Sequence, residues 1–158
     1  MNWINGGIDR NTTLAPLPEV ADRFQALYDS FWNQAHLAPS TLELCRLRLA
    51  QLHRSAADWS RLDCEIDADK RKHLAAWSSH EGFSDAERAC LEFTEVYAMD
   101  VQAISDELAE AVKAHYGDAG LVTLVEALGI FDGMTRLSLL WQLPAPRTTP
   151  ENRAGDRA

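Results

Sequence analysis

Positive charge is scarce in this 158-residue chain: 15 Lys and Arg stand against 24 Asp and Glu, for a formal charge of −9. Nucleic-acid phosphates and anionic bilayer surfaces both recruit clustered Lys and Arg, so neither is an expected partner. Cysteine is also sparse. Cys45, Cys64 and Cys90 are odd in number and lack a pairing spacing, which argues against a disulfide framework and for a reducing cytoplasm. The opening MNWINGGIDRNTT lacks a basic region followed by an apolar run, so no secretory leader is expected. The apolar stretch from Leu121 to Leu143 lacks the continuity of a membrane span. Glu126, Asp132 and Arg136 interrupt it, and charges at a helix centre are expensive in lipid. It reads instead as a buried helix. His36, His73, His80 and His115 show no His-x-x-x-His spacing, so no metal is expected, and no cofactor either.

What is present suits one soluble domain. Apolar residues make up 46% and charged residues 25%, a balance that supports a core beneath a solvated surface. Sustained two-residue alternation and hairpin turn signals are missing, whereas helix punctuation is frequent, so the fold class is all-α. Pro16 and Pro18 open a helix to about His36, with Val20, Phe24, Leu27, Tyr28 and Phe31 on its inner face. Pro39 opens the next, and Ser40 with Glu43 reads as a capping box. Leu42, Cys45, Leu49 and Leu52 continue at helical spacing. After a break near His53–Ser55, a helix runs through Trp59 to about Cys64. Asp67 or Asp69 caps a short helix ending near Trp77, and Gly82 follows as a stop. Ser84 and Glu87 form a second capping box, Ser105 starts another helix that stops at Gly117, and Asp118 caps the last, to about Leu143. The expected organisation is an N-terminal extension over 1–16, a helical domain over 17–143 and a polar tail over 144–158.

The stretch Thr41 to Leu62, TLELCRLRLAQLHRSAADWSRL, carries the most information. Two further segments go with it: Phe83-Ser84-Asp85-Ala86-Glu87-Arg88, and Gly129 to Leu137 with Asp132, Arg136 and Leu137. Together they resemble the carboxymuconolactone decarboxylase / AhpD-like family. That family's redox members carry a Glu, then a Cys-x-x-Cys, then a His. Glu43 stands at the first position, Ser55 and Asp58 at the cysteines, and Leu62 at the His. The resemblance implies an AhpD-like domain of about six or seven helices. It further implies a homo-oligomer, commonly a trimer or hexamer, with a pocket near a subunit interface. The family contains both decarboxylases and peroxidases, so the resemblance carries the fold further than the reaction.

Four residues are candidates for chemistry. The resemblance places Glu43 in a proton relay; read locally, it completes a cap with Ser40 or pairs with Arg46. Asp58 suits a general base or an anchor for a cation, and Ser55 a hydrogen-bond donor to a substrate oxygen. Their structural alternative is a helix cap, with Ser55 at the N-cap and Asp58 three residues on. His53 suits proton transfer near neutral pH, or a plain helix end. Cys45 and Cys64 are small hydrophobes unless their thiols ionise. Asp132 and Arg136 are spaced for an ion pair within a structural network or subunit contact that also takes in Glu126. Gly129 and Gly133 are spaced for close helix packing, and Trp59 and Trp77 for a pocket wall or the core. Three functions remain open: a cysteine-independent enzyme acting on a small organic acid or lactone, a vestigial binding or assembly subunit, and a thiol peroxidase.

Overall fold

Helix starts in this chain follow proline and short polar side chains, which satisfy or remove the unpaired amides of a first turn. The computed structural model describes residues 8–145; the outer parts of the expected extension and tail, 1–7 and 146–158, lie outside the described residues. Asp9 caps α1, Arg10–Leu14, and Thr12 returns the bond. Pro18 opens α2, Pro18–Asn33, and Pro39 opens α3, Pro39–Leu52. Ser55 caps the short α4, Ala56–Ser60, and Asp67 caps α5, Ala68–His73, which tightens into a 3₁₀ turn at Leu74–Ala76. Ser84 and Glu87 form the expected box on α6, Asp85–Met99. A second 3₁₀ turn, Val101–Ala103, leads to α7, Asp106–Leu140, which Ser105 caps. Gly117 breaks α7 with φ 65° and ψ −174°, a backbone that essentially only glycine adopts. Among the described residues the fold is all-α.

The core lies between α3, α6 and α7. Helix α3 is buried on nearly every side: Leu42, Leu44, Cys45, Leu47 and Leu49 are at most 1% exposed. A helix enclosed in this way has no solvent face for its polar residues, so Glu43 and Arg46 are buried too. Both α3 and α7 end with a non-glycine residue in the left-handed region, Arg54 at φ 57° and Gln142 at φ 54°. At α3 the Ser55 amide donates to the Ala50 carbonyl at 2.8 Å and the Arg54 amide to that of Gln51 at 3.1 Å. This Schellman turn delivers Ser55 directly into the cap of α4.

Several expected details change. The Ser40–Glu43 box does not form; Ala38 is the N-cap and no side chain caps α3, because the Glu43 carboxylate is held by Arg46. Val20 and Leu27 point outward, at 54% and 46% exposure, while Tyr28 and Phe31 are buried. Helix α4 stops at Ser60, short of Cys64. Gly129 and Gly133 receive no close helix backbone among the described residues: a Cβ at Gly129 would meet only the Tyr97 hydroxyl of α6 at 3.8 Å, and one at Gly133 nothing within 4 Å. The close approach falls at Gly120, whose Cβ would stand 3.1 Å from the His36 carbonyl oxygen. Glu126 is exposed rather than buried. No helix among the described residues is long and apolar enough to cross a membrane.

Candidate functional site

Burying α3 forces its polar pair to find partners inside the fold. Arg46 Nε donates to Glu43 Oε2 at 2.9 Å and its terminal nitrogen to Oε1 at 2.6 Å. The same guanidinium donates to the carbonyls of Asp58 at 2.9 Å and Arg61 at 2.6 Å, so it also satisfies the end of α4. Asp63 approaches Arg46 at 3.2 Å, and the Asp63 amide donates to Glu43 Oε1, also at 3.2 Å. Burial pushes the Glu43 carboxyl up, while the Arg46 bonds pull it down. For Arg46, burial acts to lower its pKa, but Glu43 and Asp63 outweigh it and raise the group overall.

The charges continue outward. The Tyr28 hydroxyl donates to Asp63 at 2.5 Å and accepts from Arg61 at 3.1 Å. Burial is the main reason Tyr28 is pushed up to about 12. Arg10 and Arg61 both lie against the Tyr28 ring, at 5.4 and 5.9 Å from its centroid. Both reach Asp58, at 3.3 and 3.8 Å. Asp58 itself is only 3% exposed, and Ser55 Oγ donates to its Oδ2 at 2.7 Å. Three acids and three arginines thus run from the core of α3 to the surface of α4. Burial and the neighbouring Arg61 lower the Arg10 pKa.

The outer end of this chain opens into a cavity of about 630 Å³. Asp9, Arg10, Asp58 and Arg61 form its charged wall; Ile8, Leu143 and Pro144 contribute apolar surface. The Nε–H groups of Arg10 and Arg61 are buried and have no hydrogen-bond partner among the described residues. Guanidinium groups beside an apolar wall suit a small molecule that carries oxygen acceptors and a hydrocarbon body.

The four sequence candidates therefore separate. Asp58 lines the cavity. Ser55 stands behind it, both capping α4 and orienting Asp58, and lines a shallower groove of about 380 Å³ with Trp59 and Arg54. Glu43 is fully buried and is linked to the cavity through Arg46 and Asp63. His53 points elsewhere: its Nε2 lies 2.5 Å from Asp132, which accepts from Arg136 at 2.7 Å. The expected Asp132–Arg136 pair is therefore present, with His53 added. Trp77 belongs to the core and bonds Glu95 at 2.7 Å.

Arg10, Arg61, Tyr28 and Asp63 were not legible as site residues in the sequence. Arg10 falls in the segment expected to precede the domain, and it joins the site because α1, packed against α2, brings its guanidinium within reach of Asp58. Thiol chemistry finds little support in the geometry. Cys45 is fully buried, and burial pushes its thiol up to about 12; burial raises Cys90 and Cys64 as well.

No protein-family model and no curated protein matches the sequence. Solved structures do match in shape. One is a protein of unknown function from Agrobacterium tumefaciens that carries the provisional name antioxidant defence protein AhpD. It has TM-score 0.76 and 19% identity, over 94% of this chain and 100% of that one. Another is the debrominase Bmp8, a cysteine-to-alanine variant in complex with 2,3,4-tribromopyrrole. It has TM-score 0.77 and 13% identity, over 86% of this chain and 75% of that one. The order of helices, the buried α3 and these two likenesses agree on one conclusion: the chain has the AhpD-like fold.

Proposed function

We propose that this protein is a cysteine-independent enzyme of AhpD-like fold that acts on a small organic acid or lactone in the Arg10–Asp58–Arg61 cavity. One observation carries the reading: a buried carboxylate, flanked by two guanidiniums, occupies the wall of an open cavity. Asp58 also stands where the resemblance puts a redox cysteine. Arg10 and Arg61 bind the substrate carboxylate or ring oxygen. Asp58 takes and returns the proton, with its carboxylate aimed by Ser55. Glu43 and Arg46 are positioning residues that hold α4 in place. Bmp8, a protein of the same fold, binds a small flat ring, which supports a ligand of this size. No role in turnover is assigned to His53, whose ring is committed to Asp132.

The working unit is proposed to be a homo-oligomer, a trimer or hexamer, in the cytoplasm. The outward stripe of α7 supports self-association. Val122, Glu126, Gly129, Gly133, Arg136 and Leu140 lie within about 60° of one line at helical spacing. Val122 is 60% and Leu140 46% exposed. The stripe is symmetric about Phe131, so an antiparallel second copy would set Glu126 against Arg136, Gly129 against Gly133, and Val122 against Leu140; this two-fold contact is the one that would join two trimers in a hexamer, not the one within a trimer.

A thermal-shift screen of small carboxylic acids, lactones and aromatic acids, followed by turnover assays, tests the reading. A ligand at about 100 times its Kd should stabilise the wild type by about 2.7 kcal/mol. Arg10→Ala is expected to lose the shift. Asp58→Asn is expected to keep binding but lose turnover. Glu43→Gln is expected to lose about 3 kcal/mol of stability, because it leaves Arg46 short of a buried counter-charge. If no ligand shifts the wild type, the vestigial binding or assembly reading, which the Glu43–Arg46 lock favours, replaces this one.

A further inference from the structure

Two histidines that are seven residues apart in sequence meet on one carboxylate. The rings of His73 and His80 stack with centroids 4.2 Å apart and planes inclined by 13°. His73 Nδ1 lies 3.1 Å from Asp69 Oδ1, and His80 Nε2 lies 3.3 Å from Asp69 Oδ2. One donor atom from each of the three residues falls within 4.8 Å of the others. Ligands held at about 2.0–2.1 Å in a tetrahedron stand roughly 3.3–3.4 Å apart. Each separation has about that length, but the two run to different oxygens of the carboxylate, and His73 Nδ1 also lies 3.0 Å from the Asp69 carbonyl oxygen, a contact that a bound cation would replace.

We infer that Asp69, His73 and His80 bind a first-row divalent cation of the zinc type, with the remaining coordination open to water or an added ligand. The donor set, two imidazoles and a carboxylate, matches the preferences of zinc and its neighbours and is poor for calcium or magnesium. The scaffold is rigid where the site needs it. Asp67 already caps α5, which leaves the Asp69 carboxylate free of that duty. Lys70 bonds both Glu87 oxygens, at 2.7 and 2.8 Å, and ties α5 to α6. Arg88 donates to the carbonyls of Trp77, Ser78 and Phe83, at 3.0, 2.6 and 3.2 Å, and also to that of His80, so the turn that presents His80 is pinned. None of the three proposed ligands lines the cavity of the proposed reaction, so this inference stands apart from it.

The Gly82 amide donates to His80 Nδ1 at 3.1 Å. A cation on Nε2 moves the ring proton to Nδ1 and breaks that bond, so metal binding must disturb Gly82. This supplies a signature that nonspecific binding lacks.

The test uses the full chain stripped with EDTA and titrated with ZnCl₂ by calorimetry and with CoCl₂ by visible absorption. The expected result is one equivalent bound, cobalt d–d bands of a low-coordinate site, and a shift of the Gly82 amide in the NMR spectrum. His73→Ala and His80→Ala should each weaken binding at least tenfold while melting like wild type in EDTA. Asp69→Asn, at an exposed position, serves if either alanine variant fails to fold. The inference is overturned if the wild type shows no saturable binding. It is equally overturned if binding survives both histidine substitutions, including the case where only Cys64→Ser removes it.

Discussion

Arg46 is the residue on which the candidate site turns. It is 1% exposed, and its donors go to one carboxylate of α3 and two carbonyls of α4. The i, i+3 spacing of Glu43 and Arg46 made that pair legible; the reach to α4 was not, because it crosses a turn whose geometry the spacing does not encode. Tyr28 is the complementary case: an apparent core aromatic whose hydroxyl belongs to the charge chain. Its pKa rises from 10.0 to about 12 on folding, so the native state holds that proton more tightly than the unfolded one. The corresponding stability is complete below pH 10 and falls as pH climbs towards 12. Melting temperatures of wild type and Tyr28→Phe between pH 9 and 11.5 check this. The wild type should lose stability more steeply over that window, and parallel curves would exclude Tyr28 as a source of the loss.

At the scale of elements, helix starts were readable and helix faces less so. Ser84, Ser105, Asp67 and Ser55 all cap as their spacing suggested, because capping is local chemistry between neighbours. The inner face of α2 was half misread. Val20 and Leu27 share the periodicity of the buried residues, yet no element among the described residues covers them. Gly117 marks the sharpest element-level requirement. Its φ of 65° with ψ −174° is a glycine conformation, and a Cβ there would meet no atom within 4 Å. Gly117→Ala is therefore expected to destabilise by about 1–3 kcal/mol through backbone strain alone, read as a shift in the urea midpoint. An unchanged midpoint would show that the two halves of α7 can join without the kink.

At the scale of the whole molecule, the question is what covers the outer stripe of α7. Glycine at 129 and 133 was read as a seat for close helix packing, but within the described residues a Cβ would meet only the Tyr97 hydroxyl, 3.8 Å from Gly129, and nothing at Gly133. The proposed antiparallel contact assigns it to a second copy. Val122→Asp would set a charge against the partner's Leu140, and it sits at an exposed position where folding should tolerate it. Light scattering should then report a smaller assembly than wild type, and Arg136→Glu should act in the same direction by opposing the partner's Glu126. An unchanged mass in both variants would place the interface elsewhere.

Sequence alone determined that this chain is helical, where most helices begin, and that a helix stops at Gly117, which the fold turns into a break within α7. These are properties of neighbours within about four residues, the range over which capping and helical periodicity act. Tertiary structure decided the rest. It brought Arg10 over Asp58 across 48 positions, turned His53 to Asp132 across 79, and closed Asp69, His73 and His80 on one another. The physical reason is burial. Once α3 is enclosed, each of its polar groups must find a partner wherever the fold supplies one, and no local spacing specifies where that will be.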